Sequence, residues 1–205
     1  TNEIPVPQLV GCDRKVKTRI VTLGDSVTQG CQTSEFGYQF WAAQLLDQLG
    51  TEDYSLWNLG IGHARASDCA RQGNWLNRAV AGADLITVAF STNDIINGPY
   101  GGTGHATPEE IEADVRKITR TCTDAGIHTI LWNSPPFDMT PELDGIRTAY
   151  NETVEGIAKD NGAIYFDVAS LLADPSDASK TVYRQHPNDE GGTVITDALV
   201  KLIQE

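Results

Sequence analysis

Along this chain short, nearly continuous apolar runs alternate with longer stretches whose apolar residues recur every three or four positions. The runs at 18–23 (T-R-I-V-T-L), 54–59, 84–90 (D-L-I-T-V-A-F), 127–132 and 163–166 predict five strands. Helical spacing over 36–49, 67–80, 107–125 and 141–161, and from 188 to the end, predicts five helices between and after them. Local signals agree: Gly50, Gly126 and Gly162 close helical patterns, and Thr107-Pro108-Glu109-Glu110 combines a cap, a proline and an acidic first turn. Strand runs apolar on both faces suit a parallel sheet, and strand–helix alternation makes right-handed crossovers that cover both faces. The expected architecture is a three-layer α/β/α sandwich around a five-stranded parallel sheet, flavodoxin-like in its layers, with ligands bound outside the carboxyl ends of the strands.

Residues 1–17 hold Pro5, Pro7, Gly11 and clustered charges, and read as an irregular lead-in or linker stub before one domain over 18–205. A length of 205 residues suffices for a two-sided core without metal or cross-links. The formal charge of −13 makes nucleic acid and anionic membrane surfaces poor partners and favours a neutral small-molecule or glycan substrate. No apolar run approaches the length of a spanning helix, so the chain is expected to be soluble without membrane insertion. Its compartment is open, with a lean to the cytoplasm, and its oligomeric state is unknown. Cys12, Cys31, Cys69 and Cys122 are too sparse for a disulfide scaffold and read as free thiols. The histidines at 63, 105, 128 and 186 lack ligand spacing, so neither a metal nor a cofactor is expected.

The first three strands each end in a polar or glycine-rich segment: G-D-S-V-T-Q-G at 24–30, N-L-G-I-G-H-A at 58–64 and S-T-N-D at 91–94. A fourth segment, Q-H-P-N-D-E-G at 185–191, precedes the last helix and can fold over the same sheet edge. In order and spacing these segments resemble the blocks of the GDSL/SGNH hydrolases, serine esterases and acylhydrolases, across nearly the whole chain. The resemblance implies that Ser26 attacks an ester carbonyl, that His186 takes its proton, and that Asp25 supports the turn. It implies an oxyanion hole made of the Ser26 N–H, the Asn93 side chain and an N–H from the second block. Physically, a serine hydroxyl needs a base, and imidazole titrates near working pH. Convergent donors stabilise the charge that develops on the attacked carbonyl oxygen.

The chain departs from the family pattern in three places. Where the second block ends in glycine it has His63, whose N–H survives but whose φ value suits glycine better, with Gly62 as the alternative donor if the turn is shifted by one. Where the third block begins in glycine it has Ser91, and where the fourth has an aspartate three residues before the histidine it has Tyr183. His186 is then oriented by a backbone carbonyl, by the Tyr183 hydroxyl, or by another carboxylate such as Asp138 or Asp189, or the machinery is a dyad.

Structural alternatives stand beside these roles. Ser26 can cap a helix, Asn93 and Asp94 can satisfy loop backbone, and His105 and His128 read as ordinary loop and strand residues. Trp41, Trp57 and Trp132 are expected in the core and Trp75 at a substrate rim, while the glycine-rich segment 97–105 is a candidate lid or rim. The functional expectation is a small-acyl, acetyl-type esterase on carbohydrate-like alcohols. A lipase or lysophospholipase-type acylhydrolase and a catalytically impaired binding module are the alternatives. A nucleotide-binding domain of the same layer order is disfavoured, since G-D-S-V-T-Q-G has no basic residue to meet a phosphate.

Overall fold

The computed structural model describes residues 15–31, 33–34, 39–98, 104–172, 182–183 and 186–205. Its main sheet contains β1 (Thr18–Gly24), β2 (Tyr54–Gly60), β3 (Leu85–Ala89), β4 (His128–Trp132) and β5 (Ile164–Phe166), in the order β2-β1-β3-β4-β5. Every pairing is parallel, and the register sets Gly24 beside both Gly60 and Ala89. This is the flavodoxin-like order, and its direction reverses between β1 and β3, where a crevice opens at the carboxyl ends. The three-layer α/β sandwich expected from the sequence is the architecture observed.

Helices cover both faces because adjacent strand residues point to opposite sides. On one face Val21, Ile86 and Leu131 pack with α3 (Ala66–Arg71), α4 (Gly73–Val80), α6 (Pro108–Asp124) and α7 (Pro141–Asp160). On the other, Ile20, Leu85 and Ile130 pack with α2 (Trp41–Leu49), α8 (Val168–Leu172) and α9 (Asp189–Gln204). The expected caps are present: Thr107 and Glu110 form a reciprocal capping box around Pro108, and the Asn188 side chain accepts the Gly191 N–H at the start of α9. Trp41 and Trp132 are buried against each other with ring centroids 4.8 Å apart, and each such ring contributes roughly 2–3 kcal/mol on burial.

Several expectations need correction. The single helix over 67–80 is two, because Gln72 leaves the helical region at φ −88°, ψ 80° ahead of Gly73. Trp57 lies in a strand but on the sheet's edge, 39% exposed, because β2 has no outer neighbour. Trp75, expected at a substrate rim, is half-buried and packs on the core with its ring edge-on to Phe90 at 5.6 Å. The helix expected from residue 36 begins at Trp41, with 35–38 outside the described residues. Also outside them lie residues 1–14, with most of the expected lead-in and Cys12, and 99–103 of the candidate lid. Cys31, Cys69 and Cys122 are free thiols. Short helices α1 (Ser26–Gln29) and α5 (Thr92–Asn97), and a hairpin of β6 (Val182–Tyr183) with β7 (His186–Pro187), had no periodic signal. Among the described residues no helix is long and apolar enough to cross a membrane.

Two backbone features position the site. Helix α1 lies against the end of β2 so closely that a Cβ on Gly60 would sit 2.6 Å from the Thr28 carbonyl carbon and touch the Gln29 nitrogen. Ser91, buried between β3 and α5, holds φ +140°, ψ −36°, a region in which L side chains are strained. Gly60→Ala is therefore expected to destabilise the fold by about 1–3 kcal/mol through overpacking. Ser91→Gly is expected to stabilise it by about 1 kcal/mol through relief of backbone strain. Urea denaturation of both variants checks the opposite signs.

Candidate active site

Asp25 ends the first strand segment and starts α1. Its Oδ1 accepts the Val27 N–H at 2.9 Å, so the helix cap is Asp25 and not Ser26. Ser26 is thereby left at the first helical position, half-buried, with no hydrogen bond from its N–H to another described residue. The turn is braced from β2: the Asn58 Nδ2 donates to the Thr28 carbonyl at 2.8 Å, while the Asn58 Oδ1 accepts from the Gly60 N–H and the Thr22 hydroxyl. The asparagine of the second block thus holds α1 in place from the neighbouring strand.

The second block then turns tightly. Ile61 N–H donates to the Gly24 carbonyl at 3.0 Å, and Ala64 N–H returns to the Ile61 carbonyl at 3.1 Å. His63 has φ +63°, whereas Gly62 is not at positive φ, so the turn is not shifted by one. Holding an L side chain there costs about 1–2 kcal/mol relative to glycine. Among the described residues, neither the Gly62 nor the His63 N–H donates a hydrogen bond.

Asn93 enters from α5, at the end of β3. Its Nδ2 donates to the Ala64 carbonyl at 3.0 Å, which fixes the amide's orientation, and makes a long 3.5 Å contact to Asp25 Oδ2. Asp94 beside it accepts the Ala66 N–H at 2.8 Å and the Ser67 N–H and hydroxyl, tying α5 to the start of α3. Both carboxyls are buried. Desolvation pushes Asp25 up to about 7 and Asp94 up to about 6 against the pull of the N–H groups they accept.

His186 arrives from the far end of the chain on β7, and its Nε2 lies 2.8 Å from the Ser26 Oγ across a separation of 160 residues. Burial, and secondarily the nearby His63, hold its pKa below the ordinary imidazole value. No described carboxylate bonds the ring. Asp189 instead accepts the Ser34 N–H at 2.9 Å, and Asp138 is exposed on the loop before α7. Position 183 pairs with His186 across the hairpin, so the residue that replaces the pattern's aspartate is its cross-strand neighbour. His105 and His128 stand apart: His105 Nδ1 is 2.9 Å from the Ile95 carbonyl, and His128 opens β4 at an exposed position.

Thus Ser26, Asp25, His63, Gly62, Asn93 and His186 come together at the carboxyl ends of β1, β2 and β3. Sequence reasoning gave Trp41 only a core role, yet its indole N–H donates to the Val27 carbonyl at 3.0 Å, and it did not single out Thr196, whose hydroxyl lies 3.0 Å from the Trp41 carbonyl and 2.9 Å from that of Gly192. Both lie in helical stretches that carried only a core-packing signal.

Solved structures with the same fold include a lipolytic G-D-S-L family protein from Veillonella parvula (TM-score 0.74, 18% identity, 91% of this chain and 98% of that one). Others are a psychrotrophic esterase from Pseudoalteromonas (0.68, 16%, 91% and 97%) and an acetylxylan esterase from Geobacillus stearothermophilus (0.72, 16%, 91% and 94%). At these identities the likeness concerns the fold. No curated protein sequence matches the chain. The profile of the GDSL-like lipase/acylhydrolase family matches residues 22–194, from within β1 to within α9 and across all four polar segments. The chain belongs to the GDSL-like lipase/acylhydrolase family of ester hydrolases.

Proposed function

We propose that the protein hydrolyses carboxylic esters through an acyl-Ser26 intermediate, with His186 as the proton carrier, and that its substrates carry small acyl groups on carbohydrate-like alcohols. The 2.8 Å approach of His186 Nε2 to Ser26 Oγ carries the reading. The Ser26 Oγ–H proton passes to Nε2 as Oγ bonds to the ester carbonyl carbon, and the carbonyl π electrons move onto oxygen. The Ser26 and His63 N–H groups and the second Asn93 Nδ2–H, held only by the 3.5 Å contact to Asp25, are donors for that oxyanion. Collapse expels the alcohol with the proton from His186, leaving the acyl group on Ser26. Water then attacks the acyl-enzyme, gives a proton to His186, and the serine regains it as the acid departs.

Asp25 is a positioning residue in this scheme, since it fixes the turn carrying Ser26 and touches the Asn93 amide. Among the described residues no carboxylate bonds His186, and in this reading Ser26 and His186 act as a dyad whose imidazole is held toward its neutral form by burial. Two observations favour small acyl groups on neutral alcohols over lipids. A formal charge of −13 opposes docking on anionic membrane surfaces, and an acetylxylan esterase shares the fold over 91% of this chain.

Ser26→Ala and His186→Ala are each expected to lower kcat on p-nitrophenyl acetate by at least about 1,000-fold with circular dichroism unchanged. Asn93→Ala is expected to cost about 100- to 1,000-fold. Across p-nitrophenyl acetate, butyrate and octanoate the acetate is expected to be preferred, with acetylated xylan also cleaved; faster turnover of octanoate would establish the lipase-type alternative. Because the base must be neutral, activity falls as pH drops through the His186 pKa. The acid limb of kcat/KM is expected below pH ~6.5. A limb centred above 7 would reveal a carboxylate partner and end the dyad.

A further inference from the structure

The acyl-transfer scheme uses the His63 backbone and leaves its imidazole unemployed. Glycine at this position would supply the same N–H without strain, yet the chain holds an exposed histidine at φ +63°. The turn's place is fixed on both sides. Ile61 N–H bonds the carbonyl of Gly24, two residues before the nucleophile, and the Ala64 carbonyl accepts from Asn93 Nδ2, both at 3.0 Å. His63 sits between them at the rim of the reaction centre, and its ring is near enough to His186 to disfavour protonation there, after the larger effect of burial.

Which half of the ester meets this ring follows from the chemistry. The imidazole that receives the Ser26 proton must return it to the departing alkoxide, so space beside His186 is filled by the alcohol portion and not by the acyl chain. Resting on the esterase reading above, we infer that the His63 imidazole is a specificity-determining group that hydrogen-bonds a hydroxyl of a polyhydroxylated leaving alcohol. A neutral imidazole presents one donor and one acceptor, matching hydroxyls that can do either. Arg65, the nearest cation along this loop, is already engaged, its Nη1 with the Gly98 carbonyl at 3.2 Å and its Nε with Asp68 at 3.4 Å. Retaining a side chain where the backbone favours glycine fits a group kept for what it contacts.

The test holds the acyl group constant and changes only the alcohol. Steady-state kinetics on glycerol monoacetate and partially acetylated xylooligosaccharides are compared with ethyl acetate, whose alcohol offers no second hydroxyl. Wild type is expected to prefer the polyol acetates. In His63→Gly that preference, as a ratio of kcat/KM values, is expected to fall about 3- to 10-fold, mainly through KM, the loss of one neutral hydrogen bond. His63→Asn, which tolerates positive φ and keeps a donor and an acceptor, is expected to restore part of it, and His63→Gly is expected to melt at a higher temperature than wild type. An equal change on all substrates, an unchanged ratio, or a wild type without the preference overturns the inference while leaving acyl-Ser26 chemistry intact. Turnover that survives Ser26→Ala overturns the esterase reading and this inference with it.

Discussion

The approach of Ser26 to His186 depends on a short relay through Trp41. Its indole N–H bonds the Val27 carbonyl in α1, one residue past the serine, and its own carbonyl shares the Thr196 hydroxyl proton of α9, the helix that follows the histidine, with the Gly192 carbonyl. Both contacts are 3.0 Å long and buried, and the indole N–H in particular is costly to leave without its acceptor. The ring itself packs on Trp132, which in turn contacts Phe166, so the relay is seated in the core beneath the sheet. Two ends of the chain that share no local sequence signal are in this way held to one rigid body. A serine–histidine pair 2.8 Å apart needs that rigidity to act as nucleophile and base, because small displacements forfeit much of the benefit of orientation.

The site also stores strain. His63 and Ser91, the two described residues other than glycine at positive φ, fall in the second and third polar segments, one on each side of the nucleophile. Both stand where the family pattern has glycine, and both turns persist because neighbouring contacts over-determine them. Ile61 and Ala64 anchor the first; the second is closed by the Ile95 N–H on the Ser91 carbonyl and by Asp94 on the start of α3. The backbone strain of both turns is held in place by these contacts and by the packed sheet beneath.

Burial weakens the ionised forms of the titratable groups at the centre. Asp25 and Asp94 are both pushed toward neutrality by burial, and His186 is pushed toward its neutral form by the same cause. The remaining carboxylate charge is met by the N–H groups that each aspartate accepts, Val27 at Asp25 and Ala66 and Ser67 at Asp94.

Much of this was written in the order of residues. Apolar runs and capping signals determined the strand–helix alternation and the parallel sheet, and the four polar segments placed Ser26, Asn93 and His186 at strand ends or beside a helix start. The φ demand at position 63 was legible only through the resemblance, whose second block ends in glycine where this chain has His63. Tertiary structure decided what periodicity does not encode. One-turn helices such as α1 are too short for a period and exist because Asp25 caps them and β2 leaves room at Gly60. The exposure of Trp57 followed from β2 being an edge strand of the described sheet, and the partial burial of Trp75 from where Phe90 lies, neither of them a property of composition. The group facing His186 was likewise beyond the sequence, because which carboxylates reach a ring depends on how a hairpin and a helix fold back, and Asp189 was drawn instead to the backbone at Ser34.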